Sequence, residues 1–353
     1  MQAAVTLCVI NHDGADRLAP ALSAALAQSG GFAEVLFVDN ASTDGSVDVV
    51  RARVPGARIL RLPRNAGPGA ARNAGLAAAA NDLILFQDND VRLEPGCLEA
   101  LLSALRARPG ALLVAPRVLY EGAPGTIQYD SADCHFLGLM APRHADLPEK
   151  DVPAAAARTS SVVTACFLID RARWRHGAPF DEDFVFNLED HEFGLRANIW
   201  GYETWSEPAA RVLHGGGTPE LSYRPGYAVS KARVYYLLRN RWLIIARCYS
   251  RRTLLLLSPA LGLYELFQLA GLARMGWLAP WWRALKSAAG EWPRLRTRRA
   301  EVRASRRVRD GELLRGGPLP LTGAVKGSRF QRACLSLLSG SVNGYWSLVR
   351  RFL

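Results

Sequence analysis

Short β-branched runs that stop at polar residues alternate with stretches of helical spacing through the first ninety residues, and this rhythm constrains the fold most tightly. Residues 5–10 run into Asn11, 35–38 into Asp39 and Asn40, and 83–87 into Asp88, with a further strand expected at 59–62. Between them, 16–28 sets Leu18, Leu22, Ala25 and Leu26 at helical spacing. The turn Ser42-Thr43-Asp44-Gly45-Ser46 caps a helix running to residue 54, and 68–80 is an Ala-rich helix. Strand and helix in turn predict an α/β fold, a mostly parallel central sheet with helices on both faces. Ligands of such sheets collect beyond the carboxyl ends of the strands, the edge where Asn11, Asp39 and Asp88 would gather.

Further along, residues 117–160 are rich in Pro, Gly and polar side chains and read as excursions over the sheet. A strand at 162–169 and a helix from 189 to about 200 follow, then long helices at 231–249 and 253–273. The 353 residues divide by charge near position 227. Residues 1–227 hold 20 Lys and Arg against 27 Asp and Glu, whereas 228–353 hold 24 against 5. An acidic body with a strongly basic tail points the tail at a polyanion. The six cysteines are scattered without a CxxC pair, which favours buried thiols in a reducing compartment over a disulfide frame or a zinc site. The apolar stretch at the start is too short and wrongly flanked for a secretory signal, so the acidic body is expected in the cytosol.

Phe86-Gln87-Asp88-Asn89-Asp90-Val91 puts two carboxylates, Asp88 and Asp90, on one side of the chain as it leaves the sheet. Such a pair can hold a hard divalent cation whose remaining positions are filled by phosphate oxygens, or it is simply a polar turn. Asp39 to Ser46 offers acceptors to a ribose or a base N–H, or plain turn chemistry. Asn65 to Gly75 opens a helix whose glycines and N-terminus suit an anion. Arg72 stands where the third glycine of GxGxxG would be, which disfavours a dinucleotide site. Glu189, Asp190 and Glu192 crowd the first turn of a helix, where they complement its dipole or supply a general base to a hydroxyl nucleophile. His214 ends an apolar run beside Gly215-Gly216-Gly217, within reach of a phosphate or a metal unless it is merely structural.

Taken in order over residues 3–218, these segments resemble the family 2 glycosyltransferases, nucleotide-sugar enzymes of GT-A fold. The resemblance implies an inverting transfer by direct displacement at the anomeric carbon, with a catalytic domain over 1–227. It implies that Asp39 contacts the nucleotide base, with Asn11 and Asp44 in the nucleoside pocket, and that Arg72 and Asn73 flank the donor's diphosphate. Asp88-Asn89-Asp90 is similar to the family's DxD element, with Asp90 the metal contact. Asp190 resembles the base that deprotonates the acceptor and Glu189 its neighbour at the donor, while His214 resembles the His that assists metal or diphosphate. The cofactor so implied is Mg²⁺ or Mn²⁺. A departure is Glu192, where many relatives carry Asp.

The segment Arg239-Asn240-Arg241 is similar to one in bacterial members that act on lipid-linked or cell-envelope acceptors. Residues 253–273 carry one charge, Glu265, and are just long enough to span ~30 Å of hydrocarbon. Pro259 and Arg274 argue instead for helices lying on the membrane, anchored by Trp277, Trp281 and Trp282 and by the eight arginines from Arg294 to Arg309. A cytoplasmic protein held peripherally at the inner membrane face is therefore expected, with an anionic surface as partner of residues 228–353. Two rivals are a nucleotidyltransferase, which would want a Gly-rich basic loop after the first strand, and a nucleic-acid binder using the tail. Long apolar runs in that tail favour lipid over nucleic acid.

Overall fold

All seven residues of β1 (Val5–Asn11) are buried, as befits a strand flanked on both sides and covered on both faces. The structure, a computed structural model, describes residues 4–215, 230–320 and 329–353; Gly216 and Gly217, and the boundary expected at 227/228, lie outside them. After β1 come α1 (Ala15–Leu26), β2 (Glu34–Asp39), α2 (Ser46–Arg53), β3 (Arg58–Arg61), α3 (Pro68–Ala78) and β4 (Leu83–Asp88), each within two residues of its expected bounds. Strands β3, β2, β1 and β4 lie side by side, all parallel. Register pairs Asn11 with Asp39 and Ile10 with Asp88, so the polar residues ending these strands share one sheet edge.

Beyond β4 the sheet turns mixed. β5 (Val91–Leu93), α4 (Cys97–Arg106) and β6 (Ala111–Tyr120) precede β7 (Ile127–Tyr129), β8 (Ala132–His135), β9 (Leu139–Pro142) and β10 (Ala157–Thr159). Then follow β11 (Cys166–Asp170), α5 (Glu189–Ile199) and β12 (Glu203–His214). The ten-stranded order runs β10-β12-β6-β11-β4-β1-β2-β3, with β5 added to β12 and β7 to β6. β11 is antiparallel to both β4 and β6, whereas β6 and β12 are parallel. The expectation that 117–160 only wanders over the sheet is thus corrected: β6, β7 and β10 are strands of it.

Pro116 falls within β6. It lacks the N–H that a central strand donates, and opposite it the β12 register breaks between Glu207 and Arg211, a bulge that accommodates the missing bond. The core gathers Val9, Phe37, Leu85, Leu101, Val114 and Leu168 between sheet and helices.

By contacts the chain forms two units. The first comprises Met1–Ala132, Pro142–Gly194 and Tyr202–Gly216; the second comprises Asp133–Ala141, Leu195–Gly201 and Gly217–Leu353. The second is helical: α6 (Lys231–Cys248), α7 (Arg251–Arg274), α8 (Leu278–Gly290), α9 (Trp292–Ala304), α10 (Asp310–Leu313) and α11 (Arg329–Val349), with the short strand β13 (Leu314–Arg315) beside β8. Ser230 and Ser250 cap α6 and α7 by accepting from Arg233 and Thr253 N–H. Arg239 and Arg241 of α6 are internal: Arg239 donates to Ser287 (2.9 Å), and Arg241 donates to Leu137 O (2.7 Å) and Glu265 and lies over the Tyr264 ring. All six cysteines are free thiols, five of them buried.

Candidate active site

At the carboxyl edge of the parallel strands, Asn11 Nδ2 donates to Ser42 Oγ (2.9 Å) and, more weakly, to Asp39 Oδ1 (3.4 Å). Asp39 is fully buried and pairs with Arg61 (3.1 Å), while Asn89 Nδ2 reaches back to Asn11 Oδ1 (2.7 Å). β1, β2 and the Asp-Asn-Asp turn are thereby stitched together through side-chain amides. Asp44 is exposed, accepts from Ala15 N–H (2.9 Å) and Ser46, and so ties the β2–α2 loop to the start of α1.

The glycine-rich opening of α3 brings the next residue in. Gly67 has φ +90°, and a Cβ there would lie 1.8 Å from Val185 O, so only glycine fits where this turn meets the loop before α5. One turn into α3, Arg72 is 2% exposed and its guanidinium bridges three partners: Asp88 Oδ1 (2.8 Å), Thr164 O (2.9 Å) and Glu189 Oε1 (3.4 Å). Asn73 turns elsewhere. It donates to Phe180 O (2.8 Å) and Glu182 (3.0 Å) and accepts from Phe180 N–H (3.0 Å), which spends its polar groups on fastening the 180–182 segment to α3.

Glu189 and Asp190 point apart, as adjacent helical residues must. Glu189 is buried against Arg72, whereas Asp190 is half-buried, with its Oδ1 accepting from His191 N–H (2.7 Å). Burial pushes both carboxyls up; for Glu189 the charge of Asp190 adds to the rise, and for Asp190 the Arg72 charge and the backbone N–H groups of His191 and Thr164 oppose it. Burial works against the charge on Arg72, but Asp88, Glu189 and Asp190 outweigh it and raise its pKa. Arg72 thus reports that acids about a hundred residues apart in sequence surround one point. The chain entering α5 holds Val185, Asn187 and Leu188 at φ +53°, +61° and +65°, a strained approach.

On the other flank, Asp90 Oδ1 lies 3.3 Å from His214 Nε2, and His214 Nδ1 faces Gln128 Oε1 at 2.9 Å and the Tyr129 hydroxyl at 3.4 Å. β12 and β5 pair His214 with Val91, which seats the imidazole beside the Asp-Asn-Asp turn. Burial lifts Asp88 to about 6, the Asp90 charge adds, and Arg72 and His214 oppose. Among the described residues no three His, Cys, Asp or Glu side chains stand close enough to hold a metal ion by themselves. The carboxylates of Asp88 and Asp90 are nevertheless donors of the kind that Mg²⁺ and Mn²⁺ take, and the repulsion between them is one that a cation relieves. Glu192 is completely buried.

Sequence reading did not single out Arg61, Thr164, Gln128 or Tyr129. Each is an ordinary loop or strand residue until the fold sets it against Asp39, Arg72 or His214.

Residues 6–164 match the family model described as Glycosyl transferase family 2. The succinoglycan biosynthesis protein ExoO of Rhizobium meliloti is 37% identical over 111 residues, 31% of this chain and 32% of that protein. The N-acetylglucosaminyl-diphospho-decaprenol L-rhamnosyltransferase of Mycobacterium tuberculosis is 26% identical over 201 residues, 51% of this chain and 66% of that enzyme. The chain thus spans about a third of the first relative and about two thirds of the second. Among solved structures, GalNAc-T7, crystallised with UDP, GalNAc and Mn²⁺, superposes with a TM-score of 0.55 at 14% identity, covering 70% of this chain and 48% of that one. The fold shared with it is GT-A.

Proposed function

We propose that this chain, whose residues 6–164 match the family 2 glycosyltransferase model, moves a sugar with inversion from a nucleoside-diphosphate donor to a hydroxyl of a lipid-linked or cell-envelope glycan. The observation that carries this is the arrangement around Arg72, which is bonded to Asp88 and Glu189 and raised in pKa by Asp190 as well. Asp39 and Asn11 receive the nucleoside. Asp190 is the half-open acid of the Glu-Asp pair and takes the proton of the acceptor hydroxyl. The freed oxygen bonds to the anomeric carbon as the carbon–oxygen bond to the diphosphate breaks, and the nucleoside diphosphate leaves with the electron pair. Glu189 holds Arg72, which balances the charge near Asp88. Asp88, Asp90 and His214 would hold Mg²⁺ or Mn²⁺, which when bound stabilises charge on the departing diphosphate. GalNAc-T7 with its Mn²⁺ and UDP, and a mycobacterial relative named for a decaprenol-linked acceptor, support the donor and acceptor classes.

The same reading puts the protein peripherally on a membrane, at its cytoplasmic face. Among the described residues α7 is the one helix long and apolar enough to cross a membrane, with mean hydropathy 1.4 over a window only 17% buried. Leu255, Leu266, Trp282 and Trp292 are all exposed on this unit. Apolar and indole side chains facing outward beside arginines suit a headgroup interface.

Asp190→Asn tests the base. It is expected to lower transfer by ~10²–10⁴-fold and to leave nucleoside-diphosphate affinity at the wild-type level. A comparable loss of donor affinity contradicts the assignment.

A further inference from the structure

In the helical unit, α6, α7 and α9 line an open cavity of about 490 Å³, within the ~300–1,000 Å³ of ligand sites. Its walls are apolar side chains, Trp242 and Ile245 of α6, Leu254 and Leu261 of α7, Trp292 and Leu295 of α9. Every charge on the lining but one is positive: Arg251, Arg296 and Arg299 face it, and the lone acid, Glu265, is engaged by Arg241 and the Trp242 indole. Helical spacing explains the combination. On α9, Trp292, Leu295, Arg296 and Arg299 fall at i, i+3, i+4 and i+7 and share a face, which Arg303 extends by one turn.

The acids nearby are committed to other arginines. Glu291 pairs with Arg239 and Arg294, Glu301 with Arg298, and Asp310 with Arg306. Among the described residues no carboxylate lies within ion-pair distance of Arg251, Arg296, Arg299 or Arg303. Arg299 is half-buried with one N–H on Ala246 O, and burial together with Arg303, Arg251 and Arg306 depresses its pKa. Clustered guanidinium groups beside an apolar hollow, without counter-charge, match an anionic head joined to a hydrocarbon chain.

We propose that this cavity is a binding site for the phosphate-bearing end of a membrane lipid, the phosphate on Arg251, Arg296 and Arg299 and the first part of the chain against Trp242, Leu254 and Leu261. The site lies wholly in the helical unit and does not depend on the donor site.

Titration calorimetry on the full chain tests it with three soluble probes, octyl phosphate, octanol and inorganic phosphate. Octyl phosphate is expected to bind at least about tenfold more tightly than either of the others. The double variant Arg251→Gln/Arg299→Gln is expected to lose at least about tenfold of that affinity. Equal binding of inorganic phosphate reveals a simple anion site and overturns the proposal. Equal binding of octanol, or no binding of octyl phosphate, overturns it too, and so does an unchanged affinity in the double variant. The probe ranking on the wild-type chain decides the matter even if the variant folds poorly. Failure here leaves nucleoside-diphosphate binding, measured separately, as it was.

Discussion

Arg72 is the residue on which the acids of the site balance. Its side chain and that of Glu189 are nearly inaccessible, and Asp88 is partly covered, so their charges are tolerable only in each other's company. Arg72→Met is expected to destabilise the fold by about 3 kcal/mol, the usual cost of leaving buried charges without their partner, read from the chemical-denaturation midpoint. A midpoint at the wild-type value would mean that the acids do not rely on Arg72. From sequence, Arg72 and Asn73 both resembled diphosphate neighbours. Only the fold distinguishes them, because helical geometry turns Arg72 toward Asp88 and Asn73 toward Phe180. Asp88, Asp90, Glu189 and Asp190 could be picked out by motif and order. Thr164 and Gln128 could not, since a backbone carbonyl and a mid-strand amide carry no pattern until something is placed against them.

Elements were legible where local chemistry and global position agree. β1 to β4 are short apolar runs ended by polar turns, and α3 announces itself with Pro68 at its start and alanines through its length. β6 was missed because its end falls in the Pro- and Gly-rich stretch from residue 117, and the antiparallel sense of β11 has no local signature at all. The packing of α3 on the sheet yields a sharp expectation. A Cβ on Gly75 would meet Cys8 Sγ at 2.6 Å and Phe86 Cε1 at 3.2 Å, both in the buried core. Gly75→Ala should therefore destabilise the protein by about 1–3 kcal/mol through overpacking, although alanine favours a helix by up to ~1 kcal/mol. An unchanged or higher thermal midpoint would show that α3 rides less closely on β1 and β4 than described.

For the molecule as a whole, residues 1–227 carry an acidic balance and residues 228–353 a strongly basic one, and the contacts divide the chain into an α/β unit and a helical one. The helical unit is expected to float with anionic vesicles and not with neutral ones, at about 1 kcal/mol per cation near the surface, and to be released by salt. Tighter retention of DNA than of such vesicles would contradict a lipid partner. The central claim concerns the other unit, that Asp39, Asp88, Asp90 and Asp190 serve one cavity for an activated sugar. Calorimetric titration of UDP, GDP and dTDP into the full chain, with Mn²⁺ and with chelator, tests it most directly, repeated on Asp90→Ala. The account predicts that at least one nucleoside diphosphate binds, more tightly with Mn²⁺, and that Asp90→Ala removes the metal's effect; binding indifferent to metal in both proteins, or none at all, would contradict it.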